Sequence, residues 1–169
     1  MIDCLTAGDR QIDLSIPVCM GIINATPDSF SDGAELQRSG TTSFQLDIDK
    51  ALFRAETMVA EGATFVDVGG ESTRPGAATV SEQEELDRVI PLIAAISASL
   101  DVCVSIDTSS PVVMKEALDS GAQLINDIRA LAIPGAAELL ASTKAAVCLM
   151  HMQGAPSTMQ KTPSYGSVV

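Results

Sequence analysis

Five short apolar runs, each stopping in polar and turn-forming residues, recur along the chain: MGIINATPDSFSD (20–32), FVDVGGESTRPGA (65–77), VSIDTSSP (104–111), LINDIRAL (124–131) and VCLMHMQG (147–154). Each reads as a strand that delivers polar side chains at its carboxyl end, and strands are expected near 18–23, 64–68, 102–106, 123–126 and 146–150. Helix-period segments separate them. Ser81 and Glu84 form a capping-box pattern ahead of Leu86, Val89, Ile90 and Ile93, which predicts a helix from Ser81 to about Leu100. Ser110 before Pro111 predicts an N-cap and first helical position, and Gly121 the stop. A helix from Phe44 to Glu61 ends at Gly62 in the same way, and a fourth is expected from Pro134 to Ala141.

Nearly continuous apolar strands alternating with helices imply a parallel sheet covered by helices, hence an α/β fold. Ligands of such folds bind beyond the carboxyl ends of the strands, which here carry Asn24, Asp67, Asp107, Asn126, Asp127 and His151. Because every strand contributes a polar group, a barrel is favoured over an open doubly wound sheet. A complete (β/α)8 TIM barrel needs about 250 residues. The chain has 169, so residues 1–169 are expected to form one domain holding the first five βα units of a truncated barrel. Five parallel strands without closure leave unpaired edges, and aggregation or pairing with a partner chain is the expected consequence.

A net charge of −12 argues against nucleic-acid binding, which needs a basic face to neutralise phosphates. The apolar runs are far shorter than the roughly 20 residues of a spanning helix, and the start Met1-Ile2-Asp3 lacks a basic signal region, so a cytoplasmic location with no membrane partner is expected. Cys4, Cys19, Cys103 and Cys148 show no paired spacing, and the last three lie within apolar runs, which predicts buried, reduced thiols.

In order, MGIINATPDSFSDG, DVGGESTRPGA, SIDTSSP, INDIRAL and LMHMQG resemble dihydropteroate synthase, a pterin-binding family, over essentially the whole chain. The resemblance implies a transferase of folate biosynthesis with a (β/α)8 barrel. Such an enzyme joins 4-aminobenzoate to 6-hydroxymethyl-7,8-dihydropterin diphosphate, releases pyrophosphate, uses Mg2+ and is the target of sulfonamides. It also implies site residues. Asn24 matches a ligand of the magnesium carried by the diphosphate, a hard cation that prefers oxygen donors. Asp107 and Asn126 match residues that grip the pterin ring, where a carboxylate and an amide suit an edge of donors and acceptors. Asp127, facing the opposite way from Asn126, is the alternative to it. Met150 matches an apolar residue lining the pterin pocket. Asp28, Ser29 and Phe30 match a first mobile loop, and Thr73, Arg74 and Pro75 a second, which together shape the aminobenzoate site; Thr73 is carried over as a contact to the pterin diphosphate. His151, the single histidine, reads as a satisfied structural residue.

The family's later segments, resembling DPGFGFGK, SRK and Arg-x-His, have no counterpart in these 169 residues, and Ala34 and the longer connection over residues 35–42 depart from its first loop. The alternatives are a pterin-binding domain of a folate-dependent methyltransferase and a non-catalytic binding module. A homodimer is expected of a full-length form.

Overall fold

The computed structural model describes residues 3–27, 36–38, 44–71, 80–156 and 158–167. Its elements run β1 (Cys4–Ala7), β2 (Arg10–Asp13), β3 (Cys19–Asn24), α1 (Ile48–Ala60), β4 (Ala63–Gly69), α2 (Glu82–Ser99), β5 (Cys103–Asp107), α3 (Pro111–Asp119), β6 (Leu124–Asp127), α4 (Ala136–Ala141) and β7 (Ala146–Leu149). Strands β3 to β7 form one parallel sheet in sequence order, while β1 and β2 pair antiparallel as a separate hairpin. All five expected strands are present, shifted by no more than a few residues.

Local chemistry explains the helix boundaries. Ser81 accepts from the Glu84 amide at 3.3 Å and Ser110 from the Val113 amide at 3.3 Å, so both expected caps form. After α1 and α3 the chain turns at Gly62 (φ +104°) and Gly121 (φ +108°), a left-handed conformation that glycine adopts without strain. Helix α1 starts later than the sequence pattern suggests. Residues 44–46 run beside 36–38 instead, with a bridge between Gln37 and Leu46 and an Arg38 amide to Gln45 carbonyl bond of 2.8 Å, and the Asp47 carboxylate then caps the Lys50 amide.

The strands alternate sharply between two environments. Ile23, Val66, Val68, Val104, Ile106 and Ile125 point outward and pack with residues of all four helices, including Ala55, Ile93, Met114 and Leu140. Burying each large aliphatic side chain there stabilises the fold by roughly 1.5–3 kcal/mol. On the inner face the lower ends carry Phe65, Cys103, Leu124 and Ala146, closed off by Ala7 and Ile12 of the hairpin. Arg10 fastens the hairpin, donating to Gln123 at 3.0 Å and pairing with Asp101 at 2.7 Å. Leu5 and Ile12 sit opposite each other across a turn at Gly8 and Asp9; this short alternation escapes the pattern of longer runs.

The cysteines depart from expectation. All four are free thiols, but only Cys103, on the central strand, is buried, and burial pushes it up to about 11. Cys19 and Cys148 are exposed because β3 and β7 are the outermost strands and, among the described residues, lack a neighbour on one side. The same cause leaves Ile22 52% and Leu149 50% exposed. Among the described residues, no helix is long and apolar enough to cross a membrane.

Candidate functional site

Parallel register places the inward-facing residues in rows. At the carboxyl rim, Asn24 is opposite Gly69, Gly69 opposite Asp107, Asp107 opposite Asn126 and Asn126 opposite Cys148. One step below lies the row Ile22, Asp67, Ser105, Leu124 and Ala146. The structure thus brings Asn24, Asp107 and Asn126 onto one face and one level. Gly69 lies beside Asp107 in that row, where a β-carbon would make an ordinary contact with the Asp107 side chain at 3.7 Å.

Asp67 is the buried centre of the lower row. One of its oxygens accepts from the Ser105 hydroxyl and the other from the Asn126 side-chain amide at 3.1 Å. Only 3% of the residue is exposed, and burial raises its pKa while the two hydrogen bonds oppose the rise. Asp107 stands above it, half-buried. Burial first, then the negative charges of Asp67, Glu85, Asp127 and Glu71, push its carboxyl up to about 7. Glu85 on α2 is buried as well, with its pKa raised first by burial, and its Oε1 has no hydrogen-bond partner among the described residues. A crowded, poorly solvated set of carboxylates is costly for folding and suited to binding a positively charged or donor-rich group.

Asp127 answers differently. Its side chain faces outward, fully buried, and accepts from the Arg129 amide at 2.8 Å, the Leu131 amide at 2.7 Å and the Ser109 hydroxyl. It organises the loop after β6, where Ala130 (φ 51°) and Leu131 (φ 59°) are held in the left-handed region. Of the two adjacent candidates, Asn126 therefore faces the inner row and Asp127 is structural.

Met150 lines a cavity of about 370 Å³ with Ile128, Arg129, Ala130 and Met152, and neither Asp107 nor Asn126 lines it. His151 lines the same cavity, exposed, with its ring 5.6 Å from that of Tyr165, so the expectation of a satisfied structural histidine is corrected: among the described residues its ring has that contact and no hydrogen-bond partner. Asp28, Ser29, Phe30, Thr73, Arg74 and Pro75 lie outside the described residues. The base of the second loop is visible. Arg88 donates to the Gly70 carbonyl at 2.8 Å, pairs with Glu84 and lies 5.3 Å from the Phe44 ring centre. At Gly70 a β-carbon would fall 2.7 Å from Val89, so only glycine lets α2 approach this closely.

Asp67 and Ser105 are the residues whose importance the motifs understate. Their signal is parity: each is polar within an apolar strand, two positions before a rim residue and on the same face.

Among the described residues, no three His, Cys, Asp or Glu side chains are grouped to hold a metal ion. Asn24, at the rim of the inner row, carries an amide oxygen, a donor of the kind that a hard cation such as magnesium takes.

Comparison with known proteins agrees with the geometry. The family model described as "Pterin binding enzyme" matches residues 20–169. A dihydropteroate synthase of Haemophilus influenzae is 51% identical over 165 residues, covering 98% of this chain and 57% of that protein. The Yersinia pestis dihydropteroate synthase, solved with a sulfonamide drug complex, superposes with a TM-score of 0.86 at 52% identity, covering 97% of this chain and 56% of that one. The Burkholderia cenocepacia dihydropteroate synthase, complexed with 7,8-dihydropteroate, gives 0.77 at 45% identity, covering 96% and 51%. The chain spans about half the length of the relatives it matches. With its matched strands, its inward polar row and these likenesses, the chain belongs to the family of pterin binding enzymes.

Proposed function

We propose that this chain provides the pterin-binding half of a dihydropteroate synthase. The reaction joins 4-aminobenzoate to 6-hydroxymethyl-7,8-dihydropterin diphosphate and releases pyrophosphate. The observation that carries this reading is the inward row of Asn24, Asp107 and Asn126 above the buried Asp67. Relatives at about half identity that are named for this activity support it.

In this reading Asp107 and Asn126 hold the ring edge. As pyrophosphate leaves, positive charge develops on the pterin, and the Asp107 carboxylate would offset that charge. A ligand N–H or a developing cation favours the ionised form, so binding is expected to bring down the Asp107 carboxyl, which the folded chain pushes up to about 7. Asn24 would present its amide oxygen to Mg2+ carried by the diphosphate, an ion that neutralises leaving-group charge when bound. By likeness to the family Met150 would line the ring, approaching it from the cavity it shares with Ile128 and Arg129 rather than from the row of Asp107 and Asn126. Asp28, Phe30, Thr73, Arg74 and Pro75 would close over the diphosphate and shape the aminobenzoate site, which is the site sulfonamides imitate. Positioning the aniline nitrogen against the methylene carbon supplies much of the rate. The reading includes a cytoplasmic location, with the free thiols as support, and a homodimeric full-length form.

Titration calorimetry of the chain with the dihydropterin diphosphate and magnesium tests the proposal. Saturable binding that Asp107→Ala removes is the expected result. A folded chain that binds nothing, or that binds equally well without the Asp107 carboxylate, overturns it.

A further inference from the structure

Beneath the rim, Asp67 is held in place by Ser105 and itself holds Asn126. An ionised carboxylate accepts hydrogen bonds and donates none, so the end of the Asn126 amide that faces it at 3.1 Å is the NH2 group. The amide is planar, and fixing its nitrogen toward the lower row turns its oxygen away from that row, toward the rim where Asp107 stands.

Resting on the pterin-binding reading above, we propose that Asp67 is a positioning residue: by engaging the Asn126 NH2 group it fixes the amide so that its oxygen, beside the Asp107 carboxylate, forms a pair of acceptors that selects ligands with an N–H edge. Three observations carry this. Asp67 has both oxygens committed within the protein, to Ser105 and Asn126. It is almost wholly buried, so ligand contact is not its role. The row above it contains no other hydrogen-bonding group between Asp107 and Asn126, which are direct neighbours in register. Freed from Asp67, the amide of Asn126 can rotate and offer either end, and selection against a ligand lacking N–H donors weakens.

The test compares binding of the dihydropterin diphosphate, with magnesium, to that of its analogue lacking the exocyclic amino group. Wild-type chain should favour the amino compound by about tenfold or more, the worth of one well-placed hydrogen bond. Asp67→Leu should lose most of that preference. Asp67→Asn should keep it within about threefold, since its carbonyl still accepts from Asn126 and its NH2 group can donate to Ser105. A general structural role would lower affinity for both ligands together and leave their ratio unchanged. Preference retained in Asp67→Leu, while Asp107→Ala abolishes binding, overturns the proposal and leaves the pterin reading standing. Binding undisturbed in Asp107→Ala instead overturns the reading itself. Proton exchange of the Asn126 side-chain amide in the unliganded wild-type chain gives a second measurement that needs no variant to fold. Slow exchange of one amide proton is expected, and two freely exchanging protons refute the lock.

Discussion

Asp107 and Asp127 end neighbouring strands, yet the inner and outer rims of the sheet treat them in opposite ways. On the outer rim Asp127 is fully buried and has three donors of its own, the amides of Arg129 and Leu131 and the hydroxyl of Ser109. On the inner rim Asp107 is half-buried among other carboxylates and pushed up to about 7. A carboxylate supplied with donors stabilises a loop, and one crowded by like charges stores free energy that a ligand can release. Burial alone does not separate the two roles. The supply of donors does.

The largest effect should come from removing the satisfied member. Asp127→Ala leaves two backbone amides and a hydroxyl without their acceptor, and should cost about 3 kcal/mol of stability in urea unfolding. A loss near zero would place the loop's order elsewhere and break the contrast between the rims.

Asp107→Asn should act in the other direction. Because the carboxyl of Asp107 is raised in the folded chain relative to the unfolded one, folding favours its protonated form. The stability this gives the wild type is fully present below the unfolded pKa near 4 and is lost as pH rises through about 7. The neutral amide escapes that loss. Asp107→Asn is therefore expected to match the wild type at acid pH and to exceed it at pH 8 by about 2 kcal/mol, discounted for partial solvation of the group. Unfolding midpoints across pH 4 to 8 check this, and a gap that fails to widen with pH would show that the inner rim is not strained by charge.

A smaller change sharpens the account of the outer rim. Ala130 is held at φ 51° by the loop that Asp127 organises. Glycine accepts that conformation without strain but is more flexible when unfolded, so Ala130→Gly should stabilise by about 0.5 kcal/mol in thermal melts. In an Asp127→Ala background the gain should shrink, since the loop is then free to relax.

Much of this architecture is legible in the order of residues. The apolar runs mark the five strands, Ser81 and Ser110 mark two helix starts, and Gly62 and Gly121 mark two turns into strands. These signals are local, set by backbone preference and by side chains within a few residues, and they survive translation into three dimensions. The hairpin at Leu5 and Ile12 is harder to see, because its strands are too short to show a period and acquire meaning only by covering Phe65 and Leu124. Cys19 and Cys148 mislead for a related reason: an apolar run foretells burial only where strands lie on both sides.

For the site, the sequence by itself determined which chemical groups stand at the strand ends and, through motif resemblance, pointed to the ligand proposed for them. It did not determine their partners. Only the parallel register set Asn24, Asp107 and Asn126 on one face, turned Asp127 to the other, and brought Asp67 against Asn126 across a separation of 59 residues. Strand-end chemistry is a property of neighbours in the chain. The acceptor pair and the raised Asp107 carboxyl arise from neighbours in space, where burial and like charges at short range act on groups that the sequence holds far apart.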